Sequence, residues 1–291
     1  MAQQVEVEPE RLADAIEKDN LLELLPDLAY KRLAVVNCAF VGDPETKRWV
    51  LIDSGIKGAA GAIRRAAKKR FGDVQPLAIV LTHAHFDHVG SLHDLLEDWQ
   101  CPVYAHPLEH PYLNGTASYP PPDPTVGGGM MATTSSMLPR GPINIEERLI
   151  SLPADGTLPV MPGWQWILTP GHSVGHVSFW RPSDRTLIAG DAIITTAQES
   201  VYAVLTQEPE LHGPPMYYTV NWEQAEDSVK RLVALEPEFL VTGHGRAMQG
   251  SAMRDGLKVL AENFKDVAVP AEGRYVDSPV DAAHGEAYAV K

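Results

Sequence analysis

The spacing of apolar residues predicts short strands and helices along the whole chain. At residues 10–25, leucine and isoleucine recur at roughly helical intervals, which predicts a peripheral amphipathic helix at about residues 8–25. Two β-rich runs follow at residues 33–41 and 49–53, and the turn-forming segment Gly42-Asp43-Pro44-Glu45 separates them. These two runs predict a β-hairpin.

Strands and helices alternate through the rest of the chain. In the first half we predict a basic helix at residues 59–70, a buried strand at 77–81, a helix at 91–99 and a strand at 102–105. In the second half we predict strands at 148–152, 164–168 and 239–241, a hairpin of 177–180 with 186–189, and helices at 223–235 and 252–264. Each half therefore holds a mixed sheet and covering helices.

Two such sheets, packed face to face with their helices outside, form a four-layer αββα sandwich of the α/β (α+β) class. No low-complexity or linker-like stretch divides the sequence. We therefore expect a single domain over residues 1–291, with a core at about residues 30–266 and a C-terminal tail at 267–291.

Composition and charge exclude several classes of protein. With 44% hydrophobic and 21% charged residues among 291, the chain is typical of a globular protein with a large core. Its 24 Lys and Arg against 38 Asp and Glu give a net charge of −14, which would repel nucleic acid. Residues 1–10 lack an apolar leader segment, no run of 18 apolar residues occurs, and two cysteines cannot make a disulfide framework. We expect a cytoplasmic protein with no membrane partner.

The segment from Thr82 to Gly90 is the strongest chemical signal in the sequence. It places His83, His85, Asp87 and His88 within six positions at a predicted strand end. Extended backbone puts the first two histidines on one face, and imidazole and carboxylate ligands suit zinc, iron or manganese. A polar surface loop is the alternative, but crowded imidazoles would repel one another on protonation unless a metal organised them.

Three further candidates, His172, Asp191 and His244, each follow a strand-like run. A Gly-His after a strand is by itself more typical of a turn. Because sites form where several strands end, these loops are expected to converge with the first cluster on one pocket.

These motifs, in this order, resemble those of the metallo-β-lactamase superfamily over about residues 32–250. The resemblance implies the αββα fold and a two-metal site. One ion would be held by His83, His85 and His172, and the other by Asp87, His88 and His244, with Asp191 bridging them. The segments at 170–176 and 190–195 look most like those of glyoxalase II and lactonase-like hydrolases.

Departures from known branches narrow the expected activity. True β-lactamases of the superfamily have a cysteine where this chain has Asp191, which disfavours antibiotic hydrolysis. Quorum-sensing lactonases have a tyrosine just after the bridging aspartate, whereas Ile193 and Ile194 stand here and Tyr202 is a weak substitute. The glutathione-binding basic residues of glyoxalase II have no clear match after Gly250.

The resemblance implies a metal-dependent hydrolase in which a hydroxide shared by two divalent ions cleaves an ester-type bond. Zinc is the expected metal, with iron and manganese as alternatives, and lactones, carboxylesters, thioesters and phosphotriesters are the candidate small-molecule substrates. By analogy with the family, Asp87 is the candidate proton shuttle. Two alternatives stay open: an oxidoreductase resembling the mononuclear-iron persulfide dioxygenases, and a metal-binding protein with little turnover.

Other residues are candidates for supporting the site or the substrate. Asp53, at a strand end, and His176 would support the ligands from behind, although an Asx turn explains Asp53 about as well. The irregular segment at 106–142 is expected to form a lid. We expect the pocket to be lined by Met130 and Met131 from this lid and by Tyr202, Tyr217 and Tyr218. Core packing explains the three tyrosines nearly as well. A second copy of the chain, giving a homodimer, is a candidate partner.

Overall fold

A computed structural model describes residues 5–6, 17–18, 21–127, 130–196, 210–283 and 287–289 of the chain. In these residues two mixed β-sheets pack face to face, and helices cover their outer sides. This is the predicted αββα sandwich.

The larger sheet comes from the first half of the chain, and its eight strands follow one another in sequence order. Pairing is antiparallel up to the sixth strand of the chain and parallel beyond it. The strands are β2 (Glu17–Lys18), β3 (Leu21–Leu25), β4 (Leu28–Leu33), β5 (Val36–Asp43), β6 (Arg48–Ile52), β7 (Ile79–Val80), β8 (Val103–Ala105) and β9 (Leu149–Ser151).

The smaller sheet comes from the second half and has the order β10-β11-β12-β14-β15. Its members are β10 (Gln165–Leu168), β11 (Val177–Arg181), β12 (Thr186–Gly190), β14 (Phe239–Thr242) and β15 (Met248–Gln249). Strands β12 and β14 are parallel, and β10 runs in the same direction because two antiparallel steps separate it from β12. A separate pair joins β1 (Val5–Glu6) to β13 (Glu210–Leu211).

Three apolar clusters hold these layers together. One lies between the sheets and includes Val50, Phe179 and Val241. The others lie between each sheet and its helices. The helices of the described residues are α1 (Ala60–Phe71), α2 (Phe86–Val89), α3 (Leu92–Asp98), α4 (His110–Leu113), α5 (Met130–Thr134), α6 (Trp222–Val233), α7 (Gly250–Glu262), α8 (Phe264–Val267) and α9 (Arg274–Asp277).

The predicted N-terminal helix is wrong where the structure describes it. Residues 21–25 form strand β3, which pairs antiparallel with β4, and residues 17–18 form β2. Leu21 packs toward the helices, whereas Leu22 and Leu24 pack into the layer between the sheets. Because both faces of the strand are covered, its leucines are nearly continuous and imitate helical spacing. Residues 7–16 and 19–20 lie outside the described residues.

The other predicted elements are confirmed with shifts of a few residues at their ends. The hairpin of residues 33–41 and 49–53 is formed by β5 and β6, and the basic helix is α1. Among the described residues, no helix is both long and apolar enough to span a bilayer.

Candidate metal centre

Strand ends from both sheets deliver the predicted ligands to one end of the sandwich. His83 and His85 follow β7 in the larger sheet, and Asp87 and His88 lie in the short helix α2. In the smaller sheet, His172, Asp191 and His244 follow the parallel-running strands β10, β12 and β14. Loops far apart in sequence therefore meet at one place, as expected for an open sheet.

Three histidines form the first group of side chains. The Nε2 atom of His83 lies 2.9 Å from Nδ1 of His85, and that Nδ1 lies 2.9 Å from Nε2 of His172. All three rings are buried. Their ligand atoms lie within 4.8 Å of one another, which is close enough for a single ion.

Asp87, His88 and His244 form the second group, and their ligand atoms also lie within 4.8 Å of one another. The Nε2 atom of His244 is 3.5 Å from Oδ2 of Asp87. Asp191 lies between the groups. Its Oδ2 is 3.1 Å from His244 Nε2 and 3.5 Å from His172 Nε2, and its Oδ1 is 3.4 Å from His88 Nε2.

The far side of four of these rings is tied to an oxygen acceptor. In its neutral form each ring then carries its proton on Nδ1, and its Nε2 lone pair faces the cluster. The pairs are His83 with Thr82 Oγ1 at 3.0 Å, His88 with Asp53 Oδ2 at 2.8 Å, His172 with Thr219 Oγ1 at 3.3 Å, and His244 with the Val35 carbonyl at 2.6 Å.

The two groups differ in their electrostatics. Burial and the neighbouring imidazoles hold the pKa values of His83 and His85 well below the ordinary value, and burial lowers the pKa of His172 to about 3. For His88 and His244, burial alone would lower the pKa, but nearby carboxylates, led by Asp191, raise it above the ordinary value. The three-histidine group is therefore neutral at pH 7.

Two buried polar atoms between the ligand groups indicate that a cation fits there. Among the described residues, His88 Nε2 and Asp191 Oδ1 are buried and have no hydrogen-bond partner, and they face each other at 3.4 Å. Such atoms are costly to leave unsatisfied. Neutral imidazole lone pairs also converge on one point beside a carboxylate, an arrangement that a divalent cation would stabilise. The donor set therefore fits divalent metal ions.

Asp53 and His176 lie behind the cluster. Asp53 accepts hydrogen bonds from His88 Nδ1 and from the backbone N–H and hydroxyl of Thr82. His176 Nε2 accepts the backbone N–H of Asp191 at 2.9 Å, while its Nδ1 lies 2.8 Å from Thr169 Oγ1. Because Nε2 is already engaged by Asp191, His176 supports the cluster and does not face its centre.

The predicted pocket residues are only partly brought to the cluster. Tyr218 is buried, and its ring lies 4.7 Å from that of His85. Tyr217 is also buried, and its ring lies 5.0 Å from that of Tyr218. Tyr202 lies outside the described residues, as do the side chains of Met130 and Met131 at the start of α5.

Three residues that contact the cluster or its loops were not predicted from the sequence: Glu109, Tyr119 and Thr219. The ring of Tyr119 lies 4.2 Å from that of His85, and the carboxylate of Glu109 accepts hydrogen bonds from both histidine-bearing loops. All three are buried. The available signal was the placement of Glu109 just after strand β8, at the same sheet end as His83.

Comparison with known proteins identifies the class. The family model of the metallo-beta-lactamase superfamily matches residues 32–244. The probable metallo-hydrolase YflN of Bacillus subtilis (strain 168) is 45% identical over 235 residues, covering 80% of this chain and 89% of that protein. The probable metallo-hydrolase YybB of the same organism is 31% identical over 195 residues, covering 67% and 74%.

Solved structures share the fold. A structure of TTHA1623 in a di-iron-bound form has a TM-score of 0.51 at 27% identity, covering 80% of this chain and 95% of that one. A beta-lactamase domain protein from Burkholderia ambifaria has a TM-score of 0.62 at 17% identity, covering 88% and 80%. The chain therefore belongs to the metallo-beta-lactamase superfamily. Its relatives and its histidine and aspartate cluster make it a metal-dependent hydrolase.

Proposed function

We propose that this protein holds two divalent metal ions and hydrolyses an ester-type bond in a small, neutral substrate. The observation that carries the proposal is the position of Asp191, whose two carboxylate oxygens reach both ligand groups. One ion would be held by His83, His85 and His172. The other would be held by Asp87, His88 and His244, with Asp191 shared.

Zinc is our proposed metal, and iron is the main alternative because TTHA1623 has been solved in a di-iron-bound form. Divalent ions bound at such a site would supply an activated water and would polarise the carbonyl group, whose carbon the water attacks. The protein's contribution is to fix the ligands and to keep the site dry, since six of the seven ligand side chains are almost fully buried.

Asp87 is the proposed proton shuttle. It is the most exposed of the seven candidate ligands at 8%, against 4% or less for the others. A carboxylate at the open side of the cluster can take a proton from the attacking water and return it to the leaving group.

Tyr218 is the proposed hydrogen-bond donor to the substrate. Its hydroxyl is buried and has no hydrogen-bond partner in the part of the chain that the structure describes. Burial and the charge of Asp87 raise its pKa, so the phenol keeps its proton at neutral pH. A donor left unpaired beside His85 is suited to the carbonyl oxygen of a bound ester.

Apolar side chains surround Tyr218 and favour a neutral substrate. Val126, Ala132 and Tyr217 form a buried cluster with it, and Phe86 and Leu138 pack against that cluster. Such a wall accepts an acyl chain or lactone ring more readily than a charged group. The thioesters of the glyoxalase II branch remain among the candidate substrates.

Metal content and a substrate panel test the proposal together. Plasma mass spectrometry of the purified protein should find about two zinc, iron or manganese ions per chain. Neutral lactones, carboxylesters, thioesters and phosphotriesters should then be hydrolysed faster than phosphomonoesters, and chelator treatment should abolish turnover.

Two outcomes would overturn the proposal. About one iron per chain, with oxygen uptake on a persulfide, would make the protein an oxidoreductase of the dioxygenase type. If two ions are bound but no substrate of the panel is hydrolysed, the protein would be a metal-binding protein with little turnover.

A further inference from the structure

Glu109 is a fully buried carboxylate outside the seven candidate ligands. It ends the 3₁₀ helix Pro107–Glu109, which follows strand β8, and its exposure is 0%. In the described structure its carboxylate makes no ion pair with Lys or Arg. A buried carboxylate without a cationic partner is costly unless hydrogen bonds compensate it.

Four donors surround this carboxylate. Its Oε2 accepts the backbone N–H of Ala84 at 3.0 Å and the hydroxyl of Tyr119. Its Oε1 accepts the hydroxyl of Ser173 at 2.8 Å and the backbone N–H of Gly175 at 2.9 Å. Each oxygen thus receives one backbone N–H and one hydroxyl.

These donors lead to the three-histidine group. Ala84 lies between His83 and His85 in sequence, and Ser173 directly follows His172. Tyr119 places its ring 4.2 Å from that of His85. One side chain therefore joins the loop of the larger sheet to the loop of the smaller sheet behind the three imidazoles.

The loop that follows His172 packs closely against Glu109. A Cβ atom built on Gly175 would lie 2.8 Å from both Cγ and Oε1 of Glu109, so the loop approaches the carboxylate as closely as a glycine allows. The second ligand group is held by other residues, since His88 and His244 are tied to Asp53 and to the Val35 carbonyl.

We propose that Glu109 is a positioning residue for the three-histidine metal position and not for the other one. The inference rests on the proposed two-ion centre. Supporting contacts behind metal ligands typically change metal affinity by tenfold to a hundredfold.

The test is Glu109→Gln, with bound metal counted by plasma mass spectrometry at increasing chelator concentration. Gln has one carbonyl oxygen, so its NH₂ group must face a backbone N–H of Ala84 or Gly175 in either orientation. We expect one of the two zinc ions to be lost at a roughly tenfold to hundredfold lower chelator concentration, and the other to stay as in the wild type. Glu146→Gln, on the exposed surface, is the matched control and should retain both ions.

A second substitution assigns the lost ion. In the Glu109→Gln protein, the additional substitution His172→Ala should leave the remaining ion bound. The additional substitution His244→Ala should remove it. Equal chelator resistance of both ions in Glu109→Gln and wild type, with only a lower melting temperature, would overturn the proposal. A wild type that binds a single ion would instead overturn the two-ion centre.

If Glu109→Gln fails to fold, Ser173→Ala and Tyr119→Phe each remove one hydroxyl donor and leave the carboxylate in place. Each should lower the affinity for one ion by a smaller factor than loss of the carboxylate would. No change in either ion in both variants would also contradict the proposed role.

Discussion

Single hydrogen bonds on the far side of the rings decide what the histidines at this centre can do. An imidazole whose Nδ1 proton is held by an oxygen can offer only Nε2 to an ion. Thr82, Thr219 and the Val35 carbonyl perform this role for His83, His172 and His244. These hydrogen bonds therefore orient the three rings so that Nε2 of each faces the cluster.

Asp53 gives the clearest prediction at this scale. Asp53→Asn keeps a residue that tolerates the positive φ of 59° at this position but removes the carboxylate that holds His88. We expect the affinity for the ion beside His88 to fall by about tenfold to a hundredfold, measured by chelator competition. The other ion should be weakened less, because Asp53 reaches His83 only through Thr82. The exposed Asp73→Asn is the control. Unchanged retention of both ions would show that His88 is oriented by its packing alone.

The sequence pointed to the candidate ligands but not to the residues behind them. Spacing and a strand end single out His83, His85 and Asp87 as candidates, because several metal-binding residue types stand close together on one loop. Glu109 and Thr219 contact their partners across 66 and 47 residues, so apart from the place of Glu109 just after β8 no local pattern marks them. Contacts of this kind depend on how the two sheets pack, which residue periodicity does not specify.

At the scale of elements, helix α6 begins against the loop that carries His172. The Gly171 carbonyl accepts the backbone N–H groups of Val220 and Asn221, just before the helix. Gly171 has a φ of +130°, and a Cβ built on it would lie 2.4 Å from the backbone nitrogen of Ala225. The loop and the helix fit only because position 171 lacks a side chain.

Gly171→Ala should therefore destabilise the protein by about 1–3 kcal/mol or more, because backbone atoms must separate. The measurement is urea unfolding followed by tryptophan fluorescence. Gly61→Ala, in α1, is the matched control, since a Cβ there meets only the Arg65 side chain at 3.4 Å. That control should be neutral or stabilising by up to about 1 kcal/mol. Equal stabilities for the two variants would contradict the close packing of Gly171 against helix α6.

The turn between β11 and β12 is closed by an ion pair. Arg181 donates to Asp184 from Nε at 3.0 Å and from Nη2 at 2.7 Å, and Thr186 Oγ1 donates at 2.8 Å. Arg181 also donates to Asp27 in the turn before β4. Burial alone would raise the pKa of Asp184, but these donors outweigh it and lower the pKa below its usual value.

Asp184→Asn should cost about 1 kcal/mol at pH 7, a modest value because the aspartate side chain is 32% exposed. Because the pKa of Asp184 is lowered in the folded state, its ionised carboxylate stabilises the protein at pH values above the unfolded-state pKa of about 3.9. This stabilisation is lost as the pH falls through the folded-state pKa. The stability difference between wild type and variant should hold from pH 7 to about 5 and shrink below about 4. Urea unfolding across this range measures it, and a difference that grows on acidification would refute the sign.

At the scale of the whole molecule, the layer between the sheets is what holds the two halves in register. Phe179 is fully buried there with Val50, Ile188 and Val241. Most of this architecture was predictable, because strand runs with helices between them leave few ways to cover two sheets. The N-terminal strand β3 was not, because its coverage on both faces removes the alternation that would distinguish a strand from a helix.

Phe179→Ala should lower the free energy of unfolding by about 3–5 kcal/mol, since it empties the centre of this layer. Val259→Ala, on the exposed face of α7, is the control and should change stability by less than about 0.5 kcal/mol. Urea unfolding of both variants is the measurement. A small loss for Phe179→Ala would mean that the sheets can collapse onto the cavity.

The contact between His244 and Val35 joins residues 209 positions apart, and Asn37 reinforces it through its side chain on Thr242 and Gly245. During synthesis, the first half of the chain emerges with four of the seven ligands and without the strands that bring the others. The complete set of seven candidate ligands therefore comes together only after the chain has been synthesised past β14 and its two halves have docked.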